Sequence, residues 1–504
     1  MSVTNRPFWP CQVDVVIVGG GFSGLQAALD LQKSDLRYIV VEANDRVGGK
    51  SFTKPLKSGP GLVEMGCTWF NTTTQKRVAA MVQNYGLESK EQYVSGDEVL
   101  YEGPGNIHKN KHGILPKVCQ IRPFFPAFVR APTKWYGEQT IGAKDIEDLE
   151  RILGLVVSEG AKLNPETPGR PRTSAQPLSF EDTSVAEWLD RLGAGNFSQN
   201  LISSHCAGMI GAKASQVGLY FYLEMMASCG NGPEDVLSDV YGGAQHLKVK
   251  TGTSSIITAM QRSLLQDSVF VSSPVSGIHQ TKQGCIVTVA DGRTINCSKV
   301  ILAIPSNQYT NIEFSPPLPR AKRELACQAK GCSYNKIILT YKKPWWRELG
   351  LAGKFFSVNG PISFSWDISD DSTQQYSLAL FSVASQGESW EKLTRLQREK
   401  ALLDHLSEMV GAEYNHLIYD VLEYNEQLWG RTLGIEVVQY PALGAGSYNT
   451  LLPVLKESFI HVHFAGTEMA SVWRGYMEGA LESGERAAAE VIPLVKNTKL
   501  APKL

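Results

Sequence analysis

The chain has 504 residues, which is too long for one simple core and predicts two interwoven domains. Its composition, with 43% hydrophobic and 20% charged residues, is ordinary for a globular protein, and its formal net charge of −1 argues against nucleic acid or an anionic membrane surface as a partner. No stretch approaches the ~18 uninterrupted apolar residues of a membrane-spanning helix, so we expect no transmembrane anchor.

Nine cysteines are scattered along the chain without a C-x-x-C pair. Their odd number and irregular spacing predict free thiols in a reducing compartment. His461 and His463 share one predicted strand face without an evident third ligand, so we expect no metal site. The C-terminal Pro502-Lys503-Leu504 resembles a loose peroxisomal address, with a frayed basic tail as the alternative. Because the N-terminus also lacks a signal-peptide core, the expected location is cytoplasmic or peroxisomal.

The first predicted element is a strand at residues 15–18, because a run of β-branched residues is typical of a buried strand. A loop with G-x-G-x-x-G spacing follows at once and precedes a predicted helix at residues 25–33. The loop contains four small residues of interest: Gly19, Gly21, Ser23 and Gly24. Such glycines allow a tight turn, let the backbone approach a pyrophosphate, and let the helix pack onto the strand. An ordinary glycine-rich turn is the alternative.

A second strand is predicted at residues 38–41, and it ends in Glu42. An acid about twenty residues after the loop is the residue that binds ribose hydroxyls in dinucleotide-binding folds. It favours a free 2′-hydroxyl over a 2′-phosphate. The sequence therefore predicts FAD or NAD binding rather than NADP binding.

Two further glycine-bearing stretches follow Glu42. The first holds Arg46, Gly49 and Lys50, and a basic residue beside paired glycines suits a phosphate contact, with a solvated polar turn as the alternative. The second would let the backbone approach a flat ring, and its residues are Gly66, Cys67, Thr68 and Trp69.

With these residues in this order, the chain resembles the FAD-dependent amine oxidases, and specifically their monoamine oxidase branch. In that family a dinucleotide loop is followed by an acid, an Arg-x-Gly-Gly-Arg turn, and a glycine-bearing segment that lines the flavin. Lys50 stands where the family has the second arginine, which keeps the charge but loses the bidentate fork. The resemblance extends to about residue 492 through separate motifs in the same order.

The resemblance implies a fold of the α/β and α+β classes, with a Rossmann-like FAD-binding domain assembled from separated segments and interleaved with a mixed-sheet and helical substrate domain. The FAD-binding parts are expected at residues 1–83, 240–310 and 431–504 (the last with the C-terminal tail), and the substrate-domain parts at 84–239 and 311–430. Further helices are predicted at residues 184–192, 217–227, 254–265 and 393–410. A hairpin turning at Asp291-Gly292 and strands at 300–305 and 417–424 are also predicted. A helix is expected to open at Trp473.

Matching positions carry further expectations about the cofactor. In the family, backbone at the position of Val275 meets the adenine. The acid that matches Glu468, two residues after Gly466, binds the ribityl chain, and backbone near Met477 meets the flavin. Members that bind flavin covalently carry a cysteine where this chain has Ser447. Because a hydroxyl cannot form the thioether, we expect noncovalent FAD.

Three residues are expected to act on the substrate or on oxygen. Lys336 matches the family lysine that reaches the flavin N5 atom through a water, whereas a strand-edge lysine with its head in solvent is the alternative. Tyr448 and Tyr476 match two tyrosines that flank the substrate nitrogen. Facing rings would align a neutral amine, and packing at a domain seam is the alternative.

The resulting prediction is FAD-dependent oxidation of a small-molecule amine to an imine, with O2 reduced to H2O2. A second hypothesis keeps the FAD but makes the protein a desaturase or cyclase of a nitrogen-containing specialised metabolite. A third hypothesis is a noncatalytic binding protein with a flavoprotein fold. The sequence identifies no particular amine and leaves a homodimer open.

Overall fold

The computed structural model describes residues 9–111, 142–173, 177–229, 236, 238–329, 332–431 and 441–500. Cys119 and the C-terminal Pro502-Lys503-Leu504 lie outside the described residues.

Twenty strands are present in the described parts of the chain. They are β1 Gln12–Val18, β2 Tyr38–Val41, β3 Thr53–Pro55, β4 Leu62–Glu64, β5 Trp69–Phe70, β6 Ser89–Glu91, β7 Asp97–Gly103, β8 Asn106–Lys111, β9 Leu247–Val249, β10 Val269–Phe270, β11 Val275–Gln280, β12 Cys285–Val289, β13 Thr294–Leu302, β14 Glu313–Ser315, β15 Tyr334–Tyr341, β16 Leu351–Ser357, β17 Phe364–Asp367, β18 Tyr376–Val383, β19 Val421–Leu428 and β20 Val462–Phe464.

Thirteen α-helices accompany them in the same described ranges. They are α1 Phe22–Lys33, α2 Lys76–Asn84, α3 Ala143–Gly160, α4 Val185–Arg191, α5 Asn196–Ile210, α6 Leu219–Ser228, α7 Ser254–Ser263, α8 Arg320–Gln328, α9 Trp345–Glu348, α10 Ala384–Glu391, α11 Arg395–Val410, α12 Asn415–Ile418 and α13 Met477–Leu500.

The first large sheet joins segments from the beginning, middle and end of the chain. Its order is β10-β2-β1-β13-β12-β11-β14, with β20 paired to β13. Strands β10, β2, β1, β13 and β20 run parallel to one another. Val15, Val16 and Ile17 in β1 are fully buried, as expected for a parallel sheet whose two faces are both covered. The predicted Rossmann-like unit is therefore confirmed.

The second large sheet has the order β19-β15-β18-β17-β16-β7-β8 and is mostly antiparallel. Strand β15, which carries Lys336, has a neighbour on each side in β18 and β19. Lys336 is 2% exposed. The alternative of a strand-edge lysine with a solvated head is therefore excluded by the structure.

Most of the predicted elements are present with shifts of a few residues at their ends, and two need correction. The strand predicted at residues 417–424 begins later, at Val421, because α12 occupies Asn415–Ile418. The C-terminal helix begins at Met477 rather than at Trp473, because Trp473 has a φ of 48° and lies in a turn. Thus the turn before α13, and not its first helical residues, carries Gly475 and Tyr476.

Within the described residues, no helix combines the length and the apolar character needed to cross a membrane.

Candidate active site

A cavity of about 610 Å³ opens at the carboxyl ends of β1 and β2. In sheets of parallel strands, this edge is where ligands bind. Five of the predicted cofactor residues line the cavity at this edge: Gly19, Gly21, Ser23, Glu42 and Gly49.

Two glycines of the loop between β1 and α1 are required by its shape, and a third lies next to open space. Gly19 has a φ of 103°, which L side chains rarely adopt. A Cβ at Gly24 would lie 1.9 Å from the carbonyl oxygen of Gly19, so this glycine lets the helix pack on the strand. A Cβ at Gly21 would meet nothing within 4 Å, since Gly21 faces the open cavity. The first turn of α1 thus presents its N–H groups to any phosphate in the cavity.

Glu42 lies at the end of β2 and is held by backbone donors. Its Oε2 accepts a hydrogen bond from the N–H of Gly20 at 2.7 Å, and its Oε1 accepts one from the N–H of Asn44 at 2.9 Å. The side-chain amide of Asn44 adds a third hydrogen bond to Oε1 at 3.0 Å. Because an ionised carboxylate accepts about four hydrogen bonds, about one position remains for a hydroxyl group in the cavity. This arrangement fits the ribose of a dinucleotide.

Arg46 contacts the glycine-rich turn. Its guanidinium donates to the carbonyl oxygens of Ser51 (2.9 Å) and Gly49 (2.8 Å), and it lies 4.3 Å from the centre of the Phe52 ring. Arg46 does not line the cavity in the described structure. The guanidinium is used on carbonyl groups of the glycine-rich turn, so Arg46 shapes this turn, and the basic residue that lines the cavity is Lys50.

Lys50 and Glu468 bring opposite charges to the same cavity. Burial lowers the pKa of Lys50 to about 8, and the negative charge of Glu468 opposes this shift. Burial raises the pKa of Glu468 to about 6, and hydrogen bonds from Ser306 oppose that shift. The backbone N–H of Ser306 lies 2.6 Å from Glu468 Oε1, and its hydroxyl lies 2.9 Å from Oε2.

The remaining predicted cofactor residues Val275, Gly466 and Met477 also line this cavity. Sequence reasoning missed several others, namely Ser273, Pro274, Ser276, Ala290, Ile304, Gln308 and Asn311. Ser273, Pro274 and Ser276 flank Val275, so the segment predicted to meet the adenine is the signal that could have found them. Gln308 and Asn311 lie in a short 3-10 helix at Ser306–Asn311, for which no sequence motif gave a signal.

A second cavity, of about 170 Å³, adjoins the first. The residues common to both linings are Lys50, Cys67, Gly475, Tyr476 and Met477. Apart from Tyr476, six aromatic residues line the second cavity: Trp69, Tyr334, Phe364, Trp366, Phe381 and Trp429. Of the segment predicted to face a flat ring, Gly66, Thr68 and Trp69 line only this second cavity. This segment therefore lines mainly the second cavity, and only its Cys67 also lines the first.

Lys336 is fixed at the wall of the second cavity. Its Nζ donates to Thr68 Oγ1 at 2.6 Å and to the carbonyl oxygen of Gly66 at 2.9 Å. It also lies 5.2 Å from the centre of the Phe381 ring and 5.3 Å from that of Trp69. Burial lowers the pKa of Lys336 to about 8, and the charge of Glu64 opposes this shift. A lysine ammonium has three hydrogens, so these two bonds leave one for a molecule in the cavity.

The two predicted tyrosines differ in their access to the cavities. Tyr476 lines both cavities. Tyr448 lines neither, is 1% exposed, and lies with its ring centre 5.1 Å from that of Tyr220. The backbone N–H of Tyr448 donates to Asp182 Oδ2 at 2.9 Å, which ties this turn to the segment before α4. The structure therefore supports the seam-packing alternative for Tyr448.

Ser447, like Tyr448, lines neither cavity. Its hydroxyl donates to the carbonyl oxygen of Gly444 at 2.6 Å. Ser447 therefore gives no information about a covalent flavin bond. Among the described residues that line either cavity, Cys67 is the one cysteine, and burial raises the pKa of its thiol to about 11.

The paired histidines bind protein groups. His461 lies 3.1 Å from Lys299 Nζ and 3.0 Å from the carbonyl oxygen of Thr281. His463 Nδ1 lies 2.9 Å from Glu490 Oε2. The described residues contain no group of three or more His, Cys, Asp or Glu side chains arranged to hold a metal ion.

The chain is similar to known proteins along nearly its whole length. The sequence pattern of the family described as flavin containing amine oxidoreductase matches residues 22–492. The "Probable flavin-containing monoamine oxidase A" of Dictyostelium discoideum is 27% identical over 491 residues, which are 97% of this chain and 99% of that protein. Amine oxidase (flavin-containing) B of Sus scrofa is 29% identical over 498 residues, which are 95% of this chain and 86% of that protein.

Solved structures show the same fold. Putrescine oxidase bound to putrescine has a TM-score of 0.83 at 23% identity, covering 96% of this chain and 99% of that one. Cyclohexylamine oxidase from Brevibacterium oxydans has a TM-score of 0.82 at 23% identity, covering 96% of this chain and 99% of that one.

Proposed function

Because this chain belongs to the flavin-containing amine oxidoreductase family, we propose that it oxidises the C–N bond of a small-molecule amine to an imine and reduces O2 to H2O2. The observation that carries this proposal is the meeting of the two cavities at Lys50, Cys67 and residues 475–477. Bound FAD supplies the redox chemistry by accepting a hydride equivalent and passing electrons to O2. The protein residues bind, orient and exclude water around it.

The residues of the first cavity suit FAD along its length. The open space at Gly21 and the N-terminus of α1 would hold the pyrophosphate, and Glu42 would accept hydrogen bonds from a ribose. Glu468 and Lys50 would bind the polar chain toward the boundary with the second cavity. Val275 would lie at the opposite end, toward the adenine.

We further propose that the FAD is held without a covalent bond. Cys67 is the described cysteine that lines the cavities, and its Sγ lies 3.6 Å from Thr253 Oγ1. With its pKa raised to about 11, this thiol is almost entirely protonated at neutral pH. Since the thiolate is the nucleophilic form of cysteine, the thiol is poorly suited to attack a ring.

The second cavity is suited to the amine. Its lining includes the ammonium groups of Lys50 and Lys336, which would repel a second positive charge and so disfavour a protonated amine. An amine would therefore enter as the neutral base, with Tyr476 at the boundary to orient its lone pair. Lys336 would use its third hydrogen to hold a water at the same boundary.

The organisation of the chain supports the proposed division into domains. The first sheet takes its strands from residues 1–83, 240–310 and 431–504, except for the short β14, which begins at Glu313. The second sheet takes its strands from 84–239 and 311–430. Peroxisomal targeting and a homodimer remain predictions.

The purified protein offers a direct test. We expect an absorbance band near ~450 nm, flavin in the supernatant after acid precipitation, and peroxide release with at least one amine from a panel of benzylamine, cyclohexylamine and putrescine. Flavin in the pellet would overturn the noncovalent proposal. A yellow protein that converts amines without releasing peroxide would instead favour a desaturase or cyclase.

A matched pair of variants tests the residue roles. Lys336→Met should slow peroxide release, because it removes the Lys336 hydrogen that would hold a water. Tyr448→Phe should leave the rate unchanged, because Tyr448 lines neither cavity. Equal rates in wild type and Lys336→Met would remove Lys336 from the proposal.

A further inference from the structure

Trp69 forms part of the wall of the second cavity, and its indole N–H is held from outside that cavity. The Nε1 atom of Trp69 donates to Gln92 Oε1 at 2.8 Å. Gln92 follows β6, is 4% exposed, and lines neither of the two cavities in the described structure. A side chain that cannot touch the substrate thus determines where an indole of the cavity wall can lie.

The other end of Gln92 reaches the strand that carries a second tryptophan of the wall. Its Nε2 donates to the carbonyl oxygen of Asp367 at 2.6 Å and to that of Tyr93 at 3.0 Å. Asp367 directly follows Trp366 in β17, and the ring centre of Trp366 lies 5.1 Å from that of Trp69. One amide therefore joins the indole of Trp69 to the backbone beside Trp366.

Both ends of this connection are anchored. Asp367 is fully buried, and its Oδ2 accepts hydrogen bonds from Trp346 Nε1 at 2.8 Å and Arg347 Nε at 2.6 Å. The backbone N–H of Gln92 donates to the carbonyl oxygen of His246 at 2.8 Å. Reversing the Gln92 amide would place its NH2 group against the indole N–H, where two donors would meet. The network therefore fixes a single orientation of the amide.

From this geometry we infer that Gln92 is a positioning residue, which holds Trp69 against Trp366 and so sets the shape of the proposed amine cavity. Its effect on catalysis rests on the proposed function, whereas its effect on the indole does not. Because Lys336 Nζ lies 5.3 Å from the Trp69 ring, a displaced ring also changes the surroundings of that ammonium.

Kinetics of two single variants and their combination test the inference with benzylamine as the probe. Gln92→Leu leaves a buried indole donor without its acceptor, and we expect KM to rise about tenfold while kcat stays within about twofold. Trp69→Phe keeps an aromatic wall but has no N–H. In the Trp69→Phe background, Gln92→Leu should therefore change kcat/KM by less than about twofold. An equal effect of Gln92→Leu in both backgrounds would overturn the inference.

A second readout needs no turnover. In protein labelled with 15N-tryptophan, the indole resonance that Trp69→Phe removes should shift and exchange faster with solvent in Gln92→Leu. An indole resonance unchanged by Gln92→Leu would show that Gln92 does not hold the ring. If wild type oxidises no amine, the proposed function fails, and this measurement still decides the role of Gln92.

Gln375→Leu provides the matched control. Gln375 is also 4% exposed, and its side chain accepts from the N–H of Leu62 at 3.1 Å and donates to Ser377 Oγ at 3.2 Å. It lines neither cavity. This variant should lower stability but change neither KM nor the Trp69 resonance. If Gln375→Leu changed KM and the Trp69 resonance as much as Gln92→Leu does, a general loss of packing would explain both variants and the positioning role would be wrong.

Discussion

Lys336 carries a positive charge into the protein interior, and its replacement by methionine tests the free energy of that burial. The pKa of Lys336 is lowered from its ordinary 10.5 to about 8. A shift of this size corresponds to about 3 kcal/mol against the charged form in the folded protein. Lys336→Met removes this cost but loses hydrogen bonds to Gly66 and Thr68, at about 1 kcal/mol each. The net stabilisation expected at pH 7 is about 1 kcal/mol.

The sign of the pH dependence follows from the direction of the pKa shift. Below pH 8 both the folded and the unfolded wild type are protonated at Lys336, so the full cost is present. Between pH 8 and 10.5 the unfolded chain holds a proton that the folded protein has released, so the stability of wild type rises relative to the variant. Above pH 10.5 the cost is absent and only the lost hydrogen bonds count. We therefore expect Lys336→Met to melt above wild type at pH 7 and below it at pH 10.5.

Thermal melting followed by circular dichroism, with saturating FAD at each pH, measures this crossover. Lys282→Met, at an exposed lysine, serves as the control and should follow wild type at every pH. Parallel melting curves of Lys336→Met and wild type from pH 7 to 10.5 would refute a buried ammonium at this position.

Two further sets of variants test packing and cofactor binding. The guanidinium of Arg474 is fully buried and lies 3.1 Å from the carboxylate of Glu224. Glu224→Gln leaves this charge without its partner, which should lower the free energy of unfolding by about 3–5 kcal/mol and lower the melting temperature. The Glu224→Met/Arg474→Met double variant removes both charges and should melt near wild type. Equal melting of Glu224→Gln and wild type would contradict this ion pair. Gly24→Ala should destabilise the apoprotein, because the added Cβ would lie 1.9 Å from the Gly19 oxygen. Gly21→Ala should leave the melting of the apoprotein unchanged but weaken FAD binding about tenfold, as measured by fluorescence titration. Unaltered FAD affinity in Gly21→Ala would place the pyrophosphate elsewhere.

The nucleotide-binding loop could be predicted from the sequence because its requirements are local. The turn after β1 needs a positive φ at Gly19, room at Gly24 and open space at Gly21, and these needs fall at a fixed spacing. Glu42 follows at the end of the next strand for the same reason. The alternating residues around Lys336 also predict a strand, although the burial of Lys336 depends on the neighbouring strands β18 and β19.

The aromatic cavity could not be predicted in this way. Phe364, Trp366 and Phe381 line it from two adjacent strands, and only the register between β17 and β18 places their rings together. Tyr448 shows the opposite case, since its neighbours in sequence match the family while its turn is tied to Asp182 and its ring packs on α6. Long-range contacts decide both outcomes.

The first sheet has a consequence for the order of events during biosynthesis. Its central strand β13 pairs with β1 from the start of the chain and with β20 near the end. Helix α13 must also be present, because a Cβ at its Gly484 would lie 2.3 Å from the Ser23 oxygen of α1, which places the two helices in direct contact. Chains emerge from the ribosome N-terminus first, and pairings between distant segments form slowly. The nascent chain therefore cannot complete its cofactor pocket until α13 has been synthesised, and loading with FAD must follow that step.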